Sequence, residues 1–357
     1  MPFRDFILPL VGEFYLTGMK RLLLLFLFVT IYITSNSQSL NLGYSSGITN
    51  YFGDLGNDEF FQASSIRPGM AVTLRNLIQP SQLSGMTYSR LNLETRISWH
   101  RIGYDESQPI GARKGDQLKN YGRGLSFRSD VVGFSTHLSY TYFPNRRIPI
   151  HRQRAVMFFF AGIGIYHARP KADLFKGSID IKNRYFAWKD GYLHDAPEES
   201  GAGNIITKDG IYETDLMNWH TEGEGYSGES YANKKYSPWH IGFPMGFGFR
   251  YGLSKKMNLS FEFGYVKFLT DYLDDVSKAY PTYEQIRQMY PDNPLKQELA
   301  KYIADPTGQG NGGNGGPATS KRGNPKITDS YSFINIELSY NIRWHPERLK
   351  TALLSLF

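Results

Sequence analysis

The chain of 357 residues contains no cysteine. This excludes a disulfide framework, a Cys-ligated zinc site, a thiol nucleophile and the acylated cysteine of a lipoprotein. Long apolar runs are almost as scarce. The one candidate, residues 22–33, falls short of the ~20 apolar residues that a membrane-spanning helix needs, and no later stretch approaches it. There is no G-x-S-x-G elbow of a serine hydrolase. The glycine-rich stretch 308–320 reads as a flexible loop tip, because no strand leads into it and no Gly-Lys-Ser/Thr follows. Neither acidic cluster, Asp54/Asp58/Glu59 or Asp271/Asp274/Asp275, has the spacing of a calcium loop. Capping and turn roles, or a cation at a rim, are the readings left for them. No catalytic residue, metal set, cofactor or nucleic-acid partner is expected.

Aromatic residues and glycine are plentiful. Aromatics make up 15% of the chain, with 25 Tyr, 24 Phe and 36 Gly. That mixture favours β structure. The formal charge of +7 says little about partners until the charges are placed on a topology.

From Met19 the chain reads MKRLLLLFLFVTIYITSNSQ. Lys20 and Arg21 precede the apolar run, and Ser35-Asn36-Ser37 follows it as a small-x-small signal. This is the pattern of a secretory signal peptide over 19–37, cut near Ser37-Gln38, with an uncleaved anchor as the alternative. Residues 1–18 precede this natural start and read as an upstream extension.

Residues 239–251, WHIGFPMGFGFRY, alternate strictly. Large apolar residues stand at odd positions and small or polar ones at even positions, which is the period of a β-strand with two unlike faces. Seven further segments behave similarly. Their apolar faces carry Leu40, Leu42 and Tyr44; Met70, Val72 and Leu74; Leu91, Leu93, Ile97 and Trp99; Val132, Phe134, Leu138, Tyr140 and Tyr142; Leu259, Phe261, Phe263 and Tyr265; and Ile334, Ile336, Leu338, Tyr340, Ile342 and Trp344. The remaining segment, AVMFFFAGIGIYH from Ala155, is apolar on both faces, so its parity stays open.

A tilted membrane strand needs about 9–11 residues. Apolar-out, polar-in alternation with aromatics near strand ends marks an outer-membrane barrel. A soluble sandwich is the competing fold, but a signal peptide and glycine-rich polar faces weigh against it. The first, third, fifth and seventh connections are the long ones. That parity suits a barrel with periplasmic termini and long outer loops. The chain is therefore read as all-β: an eight-stranded antiparallel transmembrane β-barrel over 38–345, with long extracellular loops at about 168–237 and 269–328. Residues 346–357 form a periplasmic tail. Pro244 donates no ladder hydrogen bond and marks a bulge or weak point in its strand.

The inward positions carry Glu94, Arg96, His137, His240, Arg250, Glu262, Glu337 and Arg343. An eight-stranded lumen is just wide enough for side chains to fill. Both signs of charge there point to a paired network. A hydrolytic site built on Ser135 and His137, with Glu262 or Glu337 nearby, is the sharper alternative. The proposed periplasmic turns and tail carry Arg146, Arg147, Arg152, Arg154, Lys255, Lys256, Arg348 and Lys350 against Glu347 alone. Such a basic face suits lipid headgroups or a periplasmic protein partner.

The stretches NYFGDL (50–55), LSFRSDV (125–131), FAGIGIYHARPKA (160–172), TEGEGY (221–226), the block 243–277 ending in TDYLDDVS, ADP (304–306), RGNP (322–325) and the last strand resemble the PorG-like outer-membrane barrels of Bacteroidetes. The resemblance spreads over nearly the whole chain after residue 37. It implies an eight-stranded barrel in the outer-membrane lipid, without enzymatic activity, in type IX protein secretion. The implied partners are a periplasmic ring lipoprotein and its partner protein. The ~70-residue third outer loop departs from a minimal member of that family. Two other readings compete. One is a stand-alone surface barrel binding ligands through its outer loops, for which 173–234 would be essential. The other is a lipid-modifying enzyme that depends on His137.

Overall fold

The computed structural model describes residues 39–55, 63–77, 91–107, 121–142, 154–225, 235–254, 256–309 and 321–343. The expected signal peptide and C-terminal tail lie outside them.

Eight long strands carry the fold: β1 (Ser39–Phe52), β2 (Arg67–Leu77), β3 (Leu91–Asp105), β4 (Ser126–Tyr142), β5 (Ala155–His167), β6 (Trp239–Gly252), β7 (Met257–Phe268) and β8 (Ser330–Arg343). Each pairs antiparallel with its chain neighbours. Antiparallel pairing of β1 with β8 closes the ring. Closure leaves no free edge, which is what a β-structure must achieve in lipid.

The alternation read from the sequence decides which face is which. Tyr44 is 55% exposed and Ile97 58%, whereas Thr73 and Glu94 are fully buried. A continuous outward belt follows, including Leu42, Val72, Leu138, Phe159, Met245, Phe247, Phe261, Ile336 and Leu338. Each Å² of apolar surface left in water forgoes about 25 cal/mol, so this belt faces lipid. A row of register partners crosses five strands at one end: Met70, Trp99, Val132, His167 and Trp239. Tyr142, Tyr251 and Tyr340 stand exposed toward the other end. Aromatics therefore flank the belt at both interfaces. Among the described residues, no helix is long and apolar enough to cross a membrane.

The parity of β5, open from sequence, is settled by packing. Phe158, Phe160 and Tyr166 point inward and are buried. The glycines of β6 explain how they fit. A Cβ on Gly248 would stand 2.5 Å from the Phe158 ring, and one on Gly246 would stand 2.6 Å from the Phe160 ring. On β7, a Cβ on Gly264 would meet the Phe333 ring at 2.1 Å. The bare glycine lanes are the floor on which neighbouring rings lie. Pro244 makes no bulge. Pairing of β6 with β5 lapses at Phe243 and Pro244, yet Gly242 still faces Gly164 and Met245 still faces Ala161. The register passes through a weak point without an inserted residue.

The strands overrun their expected ends. The first outer connection, 53–66, is therefore about as long as the turn 78–90 at the opposite end. The long-short contrast rests on the other three outer connections, which do not behave as loops. Their described residues, with those of the first, fold into a cap over one barrel mouth. Short strands Pro170–Ala172 and Thr214–Asp215 extend the edge of β4. Two helices follow β7. Helix α1 (Tyr283–Met289) opens on a capping box between Thr282 and Gln285. Helix α2 (Pro294–Ala304) opens on Asn293, with proline in its first turn. Leu55, Leu125, Phe175, Leu216, Leu273, Val276 and Ile303 form the cap's core, and it runs on into Phe127, Tyr166, Phe268, Tyr331 and Phe333 inside the barrel.

Candidate functional site

The lumen below this apolar stopper is a charge network. Arg75 on β2 donates from Nε to Glu94 Oε1 at 2.6 Å and from Nη2 to Glu337 Oε1 at 3.2 Å. Arg96 on β3 grips Glu262 on β7 with both terminal nitrogens, at 2.6 and 2.9 Å. Arg96 also lies 3.8 Å from Glu94, which joins the two groups. Thr73 accepts from Arg96, Asn41 accepts from Arg75, and Ser139 donates to Glu94. Arg250 is the looser member. Its Nη2 is 3.9 Å from Glu94 and its guanidinium lies 4.6 Å from the Phe158 ring centroid. Three arginines thus face three glutamates; Arg75–Glu94 joins neighbouring strands, while Arg75–Glu337, Arg96–Glu262 and Arg250–Glu94 run between strands that are not neighbours. Burial of such charges is tolerable only with partners and hydrogen bonds of this quality.

Of the lumen residues expected from sequence, Glu94, Arg96, Arg250, Glu262 and Glu337 come together. The two histidines do not join them. His137 bonds through Nε2 to Ser135 Oγ at 2.9 Å and stacks on Phe160. His240 is buried with Nε2 unpartnered. The Arg343 side chain lies outside the described residues. Arg75 is the residue the sequence reading passed over, although the outward parity of Met70, Val72 and Leu74 already turns it inward. The Ser135–His137 pair is not extended into a triad. Nδ1 of His137 has no partner, and Glu262 and Glu337 are engaged by arginines.

A second polar cluster lies in the cap. Tyr51 donates to Asp274 and also sits 3.1 Å from Asp329 Oδ1. Asp329 accepts from the Leu273 N–H, Asp274 from Val276 N–H, and Asp54 from Asn324 N–H. Neither oxygen of the buried Asp271 has a hydrogen-bond partner. Beside this group, Arg322 is buried between Glu222 at 3.5 Å and Asp275 at 3.4 Å. Tyr236 and Thr221 donate to Asp275, whose backbone is left-handed at φ 69°. Arg123 ties three connections, donating to Glu106 and to the carbonyls of Asp54 and Arg322.

Crowded carboxylates hold protons. Burial first, then the charges of Asp329 and Asp54, pushes Asp271 up to about 8. Burial raises Asp329 to about 8 and Asp54 to about 6. Burial and the nearby Asp275 lift Glu224 to about 8. Among the described residues, no group of three or more His, Asp or Glu is arranged to hold a metal ion. The sequence stretches 50–55, 221–225, 270–277 and 322–325, far apart in the chain, meet at this cluster.

The basic end is described only in part. Arg154 and Lys256 are exposed at the mouth opposite the cap, where the Arg154 carbonyl accepts from Gly252 N–H and the Lys256 carbonyl from Asn341 N–H. Arg146, Arg147, Arg152, Lys255, Arg348 and Lys350 lie outside the described residues.

No family model matches the chain, and no curated protein matches it. Among solved structures it is similar to Ail, the attachment invasion locus protein of Yersinia pestis, at 8% identity over 85% of this chain and 97% of that one, with a TM-score of 0.29. Neisserial surface protein A shows 6% identity over 85% and 97%, at 0.31. A major outer membrane protein from Thermus thermophilus shows 9% identity over 85% and 99%, at 0.33. At such scores the fold is read from strand pairing and the apolar belt alone. A closed eight-stranded antiparallel barrel wearing that belt has the architecture of an outer-membrane barrel, with short turns and termini at the periplasmic end.

Proposed function

We propose that this chain is a non-enzymatic outer-membrane barrel that serves type IX protein secretion as a structural component. Its partners are the outer-membrane lipid and a periplasmic ring built by a lipoprotein and its partner protein. The signal peptide is removed near Ser37-Gln38 before the barrel inserts. The observation that carries the reading is the filled lumen. Cross-lumen ion pairs and an aromatic stopper leave a rigid post in the membrane rather than a passage. A post is useful for what it holds, and the end free to hold a periplasmic body is the basic one. The sequence resemblance supplies the secretion system, and the charge of the turns supplies the surface.

Charge reversal of Arg146, Arg147, Arg152 and Arg154 to glutamate tests the surface. Recovery of the ring proteins with the tagged barrel falls severalfold, and more steeply at low salt, where exposed charges act further. Undiminished recovery removes this surface from the account.

A further inference from the structure

The cap carries a groove of about 510 Å³, walled by the segment 184–199 on one side and by helix α2 with the residues after it on the other. That volume lies within the range of small-molecule sites. One face of α2 supplies Glu298, Lys301 and Tyr302, at helical spacing. The opposite wall supplies aromatic rings held in place by their neighbours. Trp188 is locked by stacking on His194 at 3.7 Å and by its indole N–H, which donates to the Ala196 carbonyl. His194 is itself held by Asp190 at 2.8 Å. Tyr302 fixes the join between the walls, since its hydroxyl accepts from Tyr185 N–H and donates to the Leu174 carbonyl. Phe186, Trp188 and Tyr283 keep part of each ring open to the groove.

Lys301 lies 4.8 Å from the Tyr283 ring centroid and Arg184 4.6 Å from that of Phe186, but some other polar groups around those rings are unengaged. No hydrogen bond or ion pair among the described residues engages the carboxylates of Glu198, Glu199 and Glu298 or the ammonium of Lys189. Charges of the two signs are nearly balanced along the walls, which selects against a polyanion or a polycation. A strand edge is present at Phe186–Ala187, but two residues are too few to pair with an extended peptide. Pre-set aromatic plates with alternating acceptors and donors between them suit one chemistry. A pyranose ring lays its C–H face on an aromatic plate, while its hydroxyls donate to carboxylates and accept from ammonium groups.

We infer that this groove binds a neutral oligosaccharide, with Trp188 and Tyr283 as stacking plates and Glu298 as a hydroxyl acceptor. The inference is independent of the secretion role, which uses the opposite end of the barrel. The test uses the full mature barrel in lipid nanodiscs, because sugar-headed detergents would compete. Binding of β-1,4-linked trisaccharides of glucose and of N-acetylglucosamine is followed by saturation-transfer NMR and calorimetry. At least one binds saturably, and Tyr283→Ala and Glu298→Ala each weaken it by about tenfold or more. Each variant is first checked for the compact electrophoretic band of a folded barrel, and Glu298→Gln serves if Glu298→Ala lacks it. Failure of both trisaccharides to bind overturns the inference. So does binding that is unchanged in both variants, or that is displaced by a mixed-charge peptide but not by excess sugar.

Discussion

Arg75 shows what a single lumen residue does. It sits between Glu94 and Glu337 and is almost wholly buried. Arg75→Met leaves two buried glutamates short of a partner, and breaking such a pair costs about 3–5 kcal/mol. The loss is readable as a lower unfolding midpoint in urea. Adding Glu337→Gln restores part of it, because the second change removes one orphaned charge. A fully additive double variant contradicts the network. The glycine lanes make a second demand. Gly264→Ala sets a methyl 2.1 Å from the Phe333 ring, so overpacking lowers stability by about 1–3 kcal/mol. Inward parity made Glu94, Arg96, Glu262 and Glu337 legible in the sequence, and would have exposed Arg75 by the same rule. Partner choice was not legible. Nothing in a period of two tells Glu262 to meet Arg96 across the lumen, or His240 to stay apart.

At the scale of elements, the strands were readable and the cap was not. Seven strands declared their faces. β5 did not, because its inward residues are as apolar as its outward ones and depend on glycines of β6. The cap escaped because its contacts join segments some 50 to 270 positions apart, such as Glu222 with Ser277 and Asp54 with Asn324. The turn role expected of Asp274 is real for one oxygen, which accepts from Val276 N–H, while the other goes to Tyr51. The cluster gives the cap a pH dependence. Asp271, Asp329 and Glu224 titrate near 8 in the folded cap and near 4 when it opens. The folded state therefore binds more protons between those values. Its stability is full below about pH 4 and is lost as pH rises toward about 8. Hydrogen exchange of the cap amides should accelerate over that window beyond the intrinsic rate, and Asp271→Asn should flatten the change. Protection that grows with pH contradicts the cluster. A smaller local effect is expected at α1. Thr282→Ala removes the side-chain half of its capping box and costs about 1 kcal/mol.

At the scale of the whole molecule, the described residues form a filled outer-membrane barrel with a stopper at one mouth and a groove of about 510 Å³ in the stopper. A filled eight-stranded lumen predicts no added conductance when the purified protein enters a planar bilayer. Stable stepwise currents would contradict that. Eight strands and the lipid-facing side of seven of them followed from alternation and connection length, while the basic turns lie mostly outside the described residues. The cap's fold and its buried acids did not follow, since they depend on long-range contacts with no periodic trace. The measurement that tests the central claim most directly is detergent co-purification of the tagged barrel from native outer membranes, with mass spectrometry of what accompanies it. The account predicts the ring lipoprotein and its partner in the eluate. A clean barrel without them, from membranes in which the ring is intact, would contradict it.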